Sequence, residues 1–266
     1  QRTNNYRHTP KMLDRNVWGR RMITNRIAND NVELVVSDYA YELPIDNVQT
    51  FIIDPPYNIG FNYKGKVNDN LHPEDYRNMI YDVLELAYDS SNDDGSLFLI
   101  NYPEIIFELY QPIQDSRWNV HQWISWVYPS NIGHSKRKFT TAHRTVLWLA
   151  KNNSKVYMDR LTQPYKNPND KRIKKLIESG RTGTHLYNWW EINMVKNVSK
   201  DKQLYVNQIP QELLMRLIVT TTDKGDLVAD PMCGTASSLI AAEKLGRKGW
   251  GCDVNENLLQ IWKEII

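Results

Sequence analysis

Cysteine is nearly absent: Cys233 and Cys252 are the only two in 266 residues. Two thiols cannot close a four-ligand zinc cage or staple a disulfide-rich mini-domain, so no metal site is expected, and reduced thiols in a cytoplasmic compartment are the default. Nor is there any apolar run of the ~18 residues that a membrane span needs. The first residues are polar and basic, so no secretory leader is expected. A complete Gly-x-Gly-x-x-Gly is missing, which argues against a dinucleotide. No internal repeat or low-complexity tract occurs, and this excludes a solenoid. What remains is an ordinary globular composition in a chain long enough for a full α/β core, with one large domain plus a small insert as the natural organisation.

The four residues Asp54-Pro55-Pro56-Tyr57 carry the most information. They follow a short apolar run, Phe51-Ile52-Ile53, that reads as a buried strand. The second proline fixes its own φ and disfavours helix for the residue before it. The backbone oxygens of Asp54 and Pro55 are thereby left to accept hydrogen bonds, beside a carboxylate and a flat ring. Such a turn can receive an NH₂ group on a planar ring, with Asp54 and Pro55 holding the amine and Tyr57 stacking on the ring face. The bland alternative is a strand ending in a proline turn, with Tyr57 as filler.

Residues 225–257 read as strand, glycine turn, helix, glycine stop, strand, acid. Leu227-Val228-Ala229 is the first strand, Ser237 to Leu245 the helix ending at Gly246, and Lys248 to Cys252 the second strand leading to Asp253. An acid about 20 residues beyond a glycine turn is the usual ribose-hydroxyl acceptor of doubly wound folds. Asp253 stands nineteen residues after Gly234. An ordinary βαβ unit without a ligand would read the same way.

The remaining elements follow from periodicity. Val32 to Val36 and Ser96 to Ile100 read as strands. His72 to Tyr88 reads as a helix, with Pro73 in its first turn and Tyr76, Met79, Ile80, Val83, Leu84 and Ala87 on one apolar face. Glu104 to Tyr110 reads as a second helix. Trp123 to Tyr128 and Thr145 to Ala150 suit a hairpin-like pair at a sheet edge. Pro210 to Thr220 is a further helix, and Asn255 is expected to cap a last one running through Ile265.

The Asp54 and Asp230 segments together resemble the amino-methyltransferases of DNA, which methylate the exocyclic amine of adenine (N6) or cytosine (N4). The resemblance is to the permuted group in which Asp-Pro-Pro-Tyr comes first and the S-adenosylmethionine (AdoMet) motif last. It runs from about Asn31 to Asn257. Asp230-Pro231-Met232-Cys233-Gly234-Thr235-Ala236 is similar to the family's Asp-Pro-Phe-x-Gly-Ser-Gly, with Met232 for Phe and Ala236 for the second Gly. Val206-Asn207-Gln208-Ile209-Pro210 is similar to the segment before the AdoMet strand, and His143 to Lys151 to the family's late strand. The resemblance implies an α/β fold: a Rossmann-like mixed sheet with helices on both faces and a small basic target-recognition insert. Residues 1–151 would form the catalytic half, 152–205 the insert, and 206–266 the AdoMet-binding half of the same domain. Asp54, Asp230 and Asp253 would line one rim of the sheet.

It also implies the site. Asp54, Pro55, Pro56 and Tyr57 would be catalytic; Asp230, Met232, Cys233, Gly234, Thr235, Asp253 and Asn255 would hold AdoMet. The substrate would be an adenine N6 in double-stranded DNA, flipped out of the duplex; the adenine enzymes usually begin the tetrapeptide with Asp, the cytosine enzymes with Ser. The alternatives are N4-cytosine methylation and a catalytically silent DNA-binding subunit. A cognate restriction endonuclease and a homodimer are further candidate partners. The overall charge of +2 hides twelve Lys/Arg against five Asp/Glu between Lys151 and Lys202. Alone, such a run is usually a solvated surface. Beside a base-amine site it reads as DNA-docking, through Lys171, Arg172, Lys174 and Lys175, with Lys136, Arg137 and Lys138 extending the face. His143 reads as a structural histidine rather than a base. Trp189-Trp190 reads as buried packing, with a DNA wedge as the alternative, and Asn58 to Gly65 as a flexible loop able to close over the base.

Overall fold

Alternate residues of the central strands face opposite layers, and that alternation builds the molecule. A computed structural model describes residues 25–37, 45–61, 68–129, 136–195 and 208–266. Its strands begin with β1 (Asn25–Ala28), β2 (Val32–Val36) and β3 (Val48–Ile53), followed by helix α1 (Pro73–Ser90) and β4 (Ser91–Asn101). Two short helices, α2 (Pro103–Glu108) and α3 (Tyr110–Asp115), precede the antiparallel pair β5 (Asn119–Val127) and β6 (His143–Ala150). An excursion then carries β7 (Thr162–Gln163), α4 (Lys171–Glu178), β8 (Thr184–His185) and β9 (Trp189–Glu191). The chain closes with α5 (Gln211–Thr221), β10 (Leu227–Asp230), α6 (Ser237–Lys244), β11 (Lys248–Asp253) and α7 (Leu258–Ile265).

Nine strands form one mixed sheet in the order β1-β2-β11-β10-β3-β4-β6-β5-β9. Phe51, Ile53, Leu97, Leu99, Leu147 and Leu149 pack on one face with α1 and the α2–α3 pair. Ile52, Phe98, Ile100, Val146 and Trp148 pack on the other with α5 and α6. Helices therefore cover both faces, as expected. Strands β10 and β3 lie side by side and parallel, but the chain leaves β10 toward β11 and leaves β3 toward β4. That divergence opens a crevice at their carboxyl ends, where ligands of open α/β sheets bind.

Several expectations need correction. The Glu104–Tyr110 helix is two helices that break at Leu109. Pro112 has no N–H to give the carbonyl four residues back and its ring crowds that turn, so one continuous helix cannot form. The β5–β6 pair is not the sheet edge: β9 adds outside β5, in parallel, from within the excursion. The last helix starts at Leu258 and its cap position is Asn257, not Asn255. Asn255 instead closes the turn before it, its Oδ1 accepting the Asn257 N–H at 3.1 Å. Residues 62–65, 196–205 and Val206–Asn207 lie outside the described residues. No helix among the described residues is long and apolar enough to cross a membrane.

Candidate active site

The Asp54 turn leaves the carboxyl end of β3, and hydrogen bonds hold it from two sides. The Tyr57 hydroxyl donates to Asp54 Oδ1 at 2.6 Å. The Tyr76 hydroxyl, on α1, donates to the Pro56 carbonyl at 2.8 Å and accepts from Asn101 Nδ2 at 3.1 Å. Among the described residues no hydrogen bond ends on the Pro55 carbonyl. Asp54 itself is half-buried. Burial pushes its carboxyl up to about 6, against the pull of Arg144 and the Tyr57 hydroxyl.

Tyr57 is placed differently from the open stacking platform read from the sequence. Its ring is 3% exposed. Tyr102 meets it edge-on at 5.2 Å, and the Arg144 guanidinium lies over it at 4.8 Å. The following segment is also less free than a flexible loop. The Asp69 carboxylate, buried, accepts the N–H groups of Asn58, Ile59 and Phe61 at 2.7, 3.2 and 2.7 Å. Asn58 adopts φ 56°, a left-handed conformation that Asn tolerates, and exchanges hydrogen bonds with the Leu71 backbone. Residues 58–61 are thus pinned.

Across the crevice, β10 ends at Asp230, which is buried. Its carboxylate accepts from the Ser238 hydroxyl and from the Met232 N–H. Burial pushes it up to about 7, with Asp54 and Asp253 adding repulsion. Asp253, at the end of β11, accepts from the Gly234 N–H at 3.0 Å and the Asn255 N–H at 2.8 Å. Burial lifts it to about 6, against those backbone donors. Three carboxylates distant in sequence therefore share one rim. The turn between them is tight. Gly234 has φ +49°, and the space a side chain would fill there is open. Gly251 allows the opposite: a Cβ would meet Leu239 at 2.5 Å and Cys233 at 2.9 Å, so its bare backbone lets β11 pack on the turn. Trp262 on α7 donates to the Gly234 carbonyl at 2.9 Å. Ala236 takes φ 59°, where glycine would be at ease. Met232 is half-buried, and Cys233, Thr235 and Asn255 are buried. Burial pushes the Cys233 thiol up, so it is inert packing rather than a nucleophile.

The basic residues divide between two places. Lys136, Arg137 and Lys138 are exposed on the connection from β5 to β6. The Val127–His143 pairing puts that connection on the rim that carries Asp54. Lys171, Arg172, Lys174 and Lys175 are exposed on α4, whose N-cap Asp170 accepts from Arg172 N–H at 2.8 Å. The excursion bearing α4 starts from the opposite rim: Lys151 and Lys155 donate to the Gly95 and Asp94 carbonyls, and Tyr157 to Thr220. The tryptophan pair splits. Trp190 is buried and donates to the Tyr187 carbonyl, whereas Trp189 is 49% exposed and stacks on Tyr187. His143 is exposed at the start of β6.

Sequence reading missed Asp69, Tyr76, Tyr102 and Arg144. Arg144 left a signal: it is the one full charge inside the apolar run His143–Ala150.

Comparison with known proteins gives the family. The family model N6_N4_Mtase, described as DNA methylase, matches residues 48–264. The Type II methyltransferase M.HpaI of Haemophilus parainfluenzae is 28% identical over 225 residues, spanning 82% of this chain and 68% of its own. The DNA adenine methyltransferase YhdJ of Escherichia coli (strain K12) is 24% identical over 254 residues, spanning 89% and 83%. Among solved structures, the PvuII DNA methyltransferase (cytosine-N4-specific) superposes with a TM-score of 0.66 at 15% identity, covering 92% of this chain and 96% of its own. The M1.HpyAVI–SAM complex gives 0.56 at 17% identity, covering 83% and 89%. A crevice at the switch point of a mixed sheet, rimmed by three carboxylates, thus sits in a chain that belongs to the N6/N4 DNA methylase family.

Proposed function

We propose that this DNA methyltransferase acts on the N6 amine of an adenine flipped out of the duplex, with S-adenosylmethionine as methyl donor. The observation that carries the reading is Asp54: a half-buried carboxylate beside the Pro55 carbonyl, on the same rim as Asp230 and Asp253.

The residues fit the donor. Open space beside Gly234 admits a ligand against the backbone. Each Asp253 oxygen already takes one backbone N–H and keeps a lone pair for a ribose hydroxyl. Met232, Cys233, Thr235 and Asn255 shape the turn around it, and Asp230 stiffens that turn through Ser238 and Met232. When bound, S-adenosylmethionine supplies an electrophilic methyl group on a sulfonium.

The chain's own work is on the amine. An aromatic amine is a poor nucleophile because its lone pair is delocalised into the ring. The Pro55 carbonyl and Asp54 Oδ2 can each accept one N–H, which favours a pyramidal nitrogen whose lone pair points out of the ring plane. Oδ1 is committed to Tyr57, so Tyr57 fixes the carboxylate's direction. With its midpoint near 6, Asp54 is mostly ionised at neutral pH and complements the positive charge that grows on nitrogen. Orientation supplies the rest. DNA docking is best supported for Lys136, Arg137 and Lys138, which share the rim, with α4 as a second contact.

Unmethylated plasmid DNA treated with the protein and AdoMet, digested to nucleosides and analysed by mass spectrometry, should yield N6-methyladenine. N4-methylcytosine alone would overturn the choice of base, and no methylated nucleoside would overturn the enzymatic reading.

A further inference from the structure

Arg144 is 2% exposed, and what surrounds it is aromatic. Its guanidinium lies 4.8 Å from the Tyr57 ring centroid, 5.3 Å from Tyr102, 5.3 Å from Trp126 and 6.0 Å from Tyr128. These rings come from three separate places: the Asp54 turn, the residue after β4, and the end of β5 with the residue that follows it. Its Nε finds no acceptor among the described residues. A buried cation is costly unless something compensates it. Here the compensation is the faces of the rings and a nearby carboxylate, Asp54.

We propose that Arg144 is a positioning residue of the methyl-transfer site: its caged guanidinium fixes the Tyr57 ring and, through the Tyr57 hydroxyl, the Asp54 carboxylate.

The geometry forms a relay. Tyr57 is clamped between Arg144 on its face and Tyr102 at its edge, and in that position its hydroxyl donates to Asp54 Oδ1. The cage is itself fixed from outside. Trp126 Nε1 donates to the Ile192 carbonyl at 2.7 Å, and the Tyr128 hydroxyl donates to the His143 carbonyl at 3.2 Å. Packing alone does not call for a charge at this position, since ring faces also accept an uncharged side chain of similar length. The charge matters because carboxylates crowd the rim. Asp54 faces Asp230 and, beyond it, Asp253 from the AdoMet side; Tyr76 approaches from α1, Tyr102 from the turn after β4 and Tyr128 from the residue after β5. Arg144 is the cation set against that group, and it keeps Asp54 in the acceptor form that the amine requires.

The proposal rests on Asp54 acting on the amine, and its test separates the two ideas. The measurements are the pH dependence of single-turnover methyl transfer to unmethylated plasmid DNA, the AdoMet Kd, and the carboxyl-carbon NMR titration of Asp54, assigned with D54N. R144M should lower the rate at pH 7 by tens- to hundreds-fold, leave the AdoMet Kd within about threefold, and move the acid limb and the Asp54 midpoint upward by at least about one pH unit. R144K, which keeps the charge, should hold the midpoint and stay within about tenfold of wild type. If R144M does not fold, R144K decides: a moved midpoint or a hundredfold loss overturns the proposal. An R144M protein that is folded, with an unshifted midpoint, also overturns it. Wild-type protein that transfers no methyl group would instead remove the functional reading, while the NMR titration still reports whether Arg144 governs Asp54.

Discussion

At the scale of single residues, roles separate by what each group touches. Asp54→Ala removes the carboxylate proposed to accept the amine but nothing that contacts the Gly234 turn. It is expected to abolish methyl transfer and leave the AdoMet Kd within a few-fold, as calorimetry would show; a matching loss of AdoMet affinity would place Asp54 on the donor instead. Asp253→Ala should do the reverse, weakening AdoMet by about 1.5–3 kcal/mol for the missing charge-assisted hydrogen bonds, with an unchanged Kd removing it from the ribose site. Tyr57→Phe is the most discriminating. A residue that only stacks would not miss its hydroxyl. One that aims Asp54 would, and the expected loss is about tenfold in rate, ~1.4 kcal/mol. The place of the tetrapeptide at the end of a buried strand could be read from the sequence. The burial of Tyr57 could not, because Tyr102 and Arg144 reach it from distant segments, and Arg144 is itself caged by Trp126 and Tyr128 only once β5 and β6 have paired.

At the scale of elements, what could be read depended on how locally each is determined. The long amphipathic helix α1 and the strand–turn–helix–strand from β10 to β11 carry their own start, stop and periodicity. Strands β1, β7, β8 and β9 are two to four residues long and exist because a neighbour pairs with them, which no local pattern records. The charged segments show the same limit: composition identified both, but only strand register says which rim each leaves from. Replacing Lys136, Arg137 and Lys138 with alanine should therefore flatten the salt dependence of DNA binding more than neutralising Lys171, Arg172, Lys174 and Lys175. The log–log slope is expected to fall by up to ~0.9 for each phosphate that is no longer neutralised. An α4 variant with the larger fall would reverse that ranking.

At the scale of the molecule, three carboxylates with raised midpoints face one crevice: Asp54 and Asp253 at about 6, Asp230 at about 7. Each is raised above the 3.8 of an unperturbed aspartate, so the folded state binds protons more tightly than the unfolded chain does. Their contribution to stability is fullest below pH ~4 and is lost as pH rises through about 6 to 7. Asp230→Asn can keep the bonds to Met232 and Ser238 with its oxygen and its amide, and it removes the charge. Thermal melting should then show a smaller difference between pH 5 and pH 8 than in wild type. A wider difference would mean that burial does not dominate at Asp230.

The strand order has a consequence for how the protein is made. Strands β2 and β3 are consecutive in sequence, yet β11 and β10 lie between them. A ribosome that has finished residue 222 has released β3 with one edge unpaired, awaiting a wedge not yet translated. An apolar strand edge in that condition is a template for pairing with other chains. Both strands that flank the wedge therefore wait with an open edge, β2 for β11 and β3, the strand that leads into Asp54, for β10, and the two walls of the crevice close together only once β10–α6–β11 has been made.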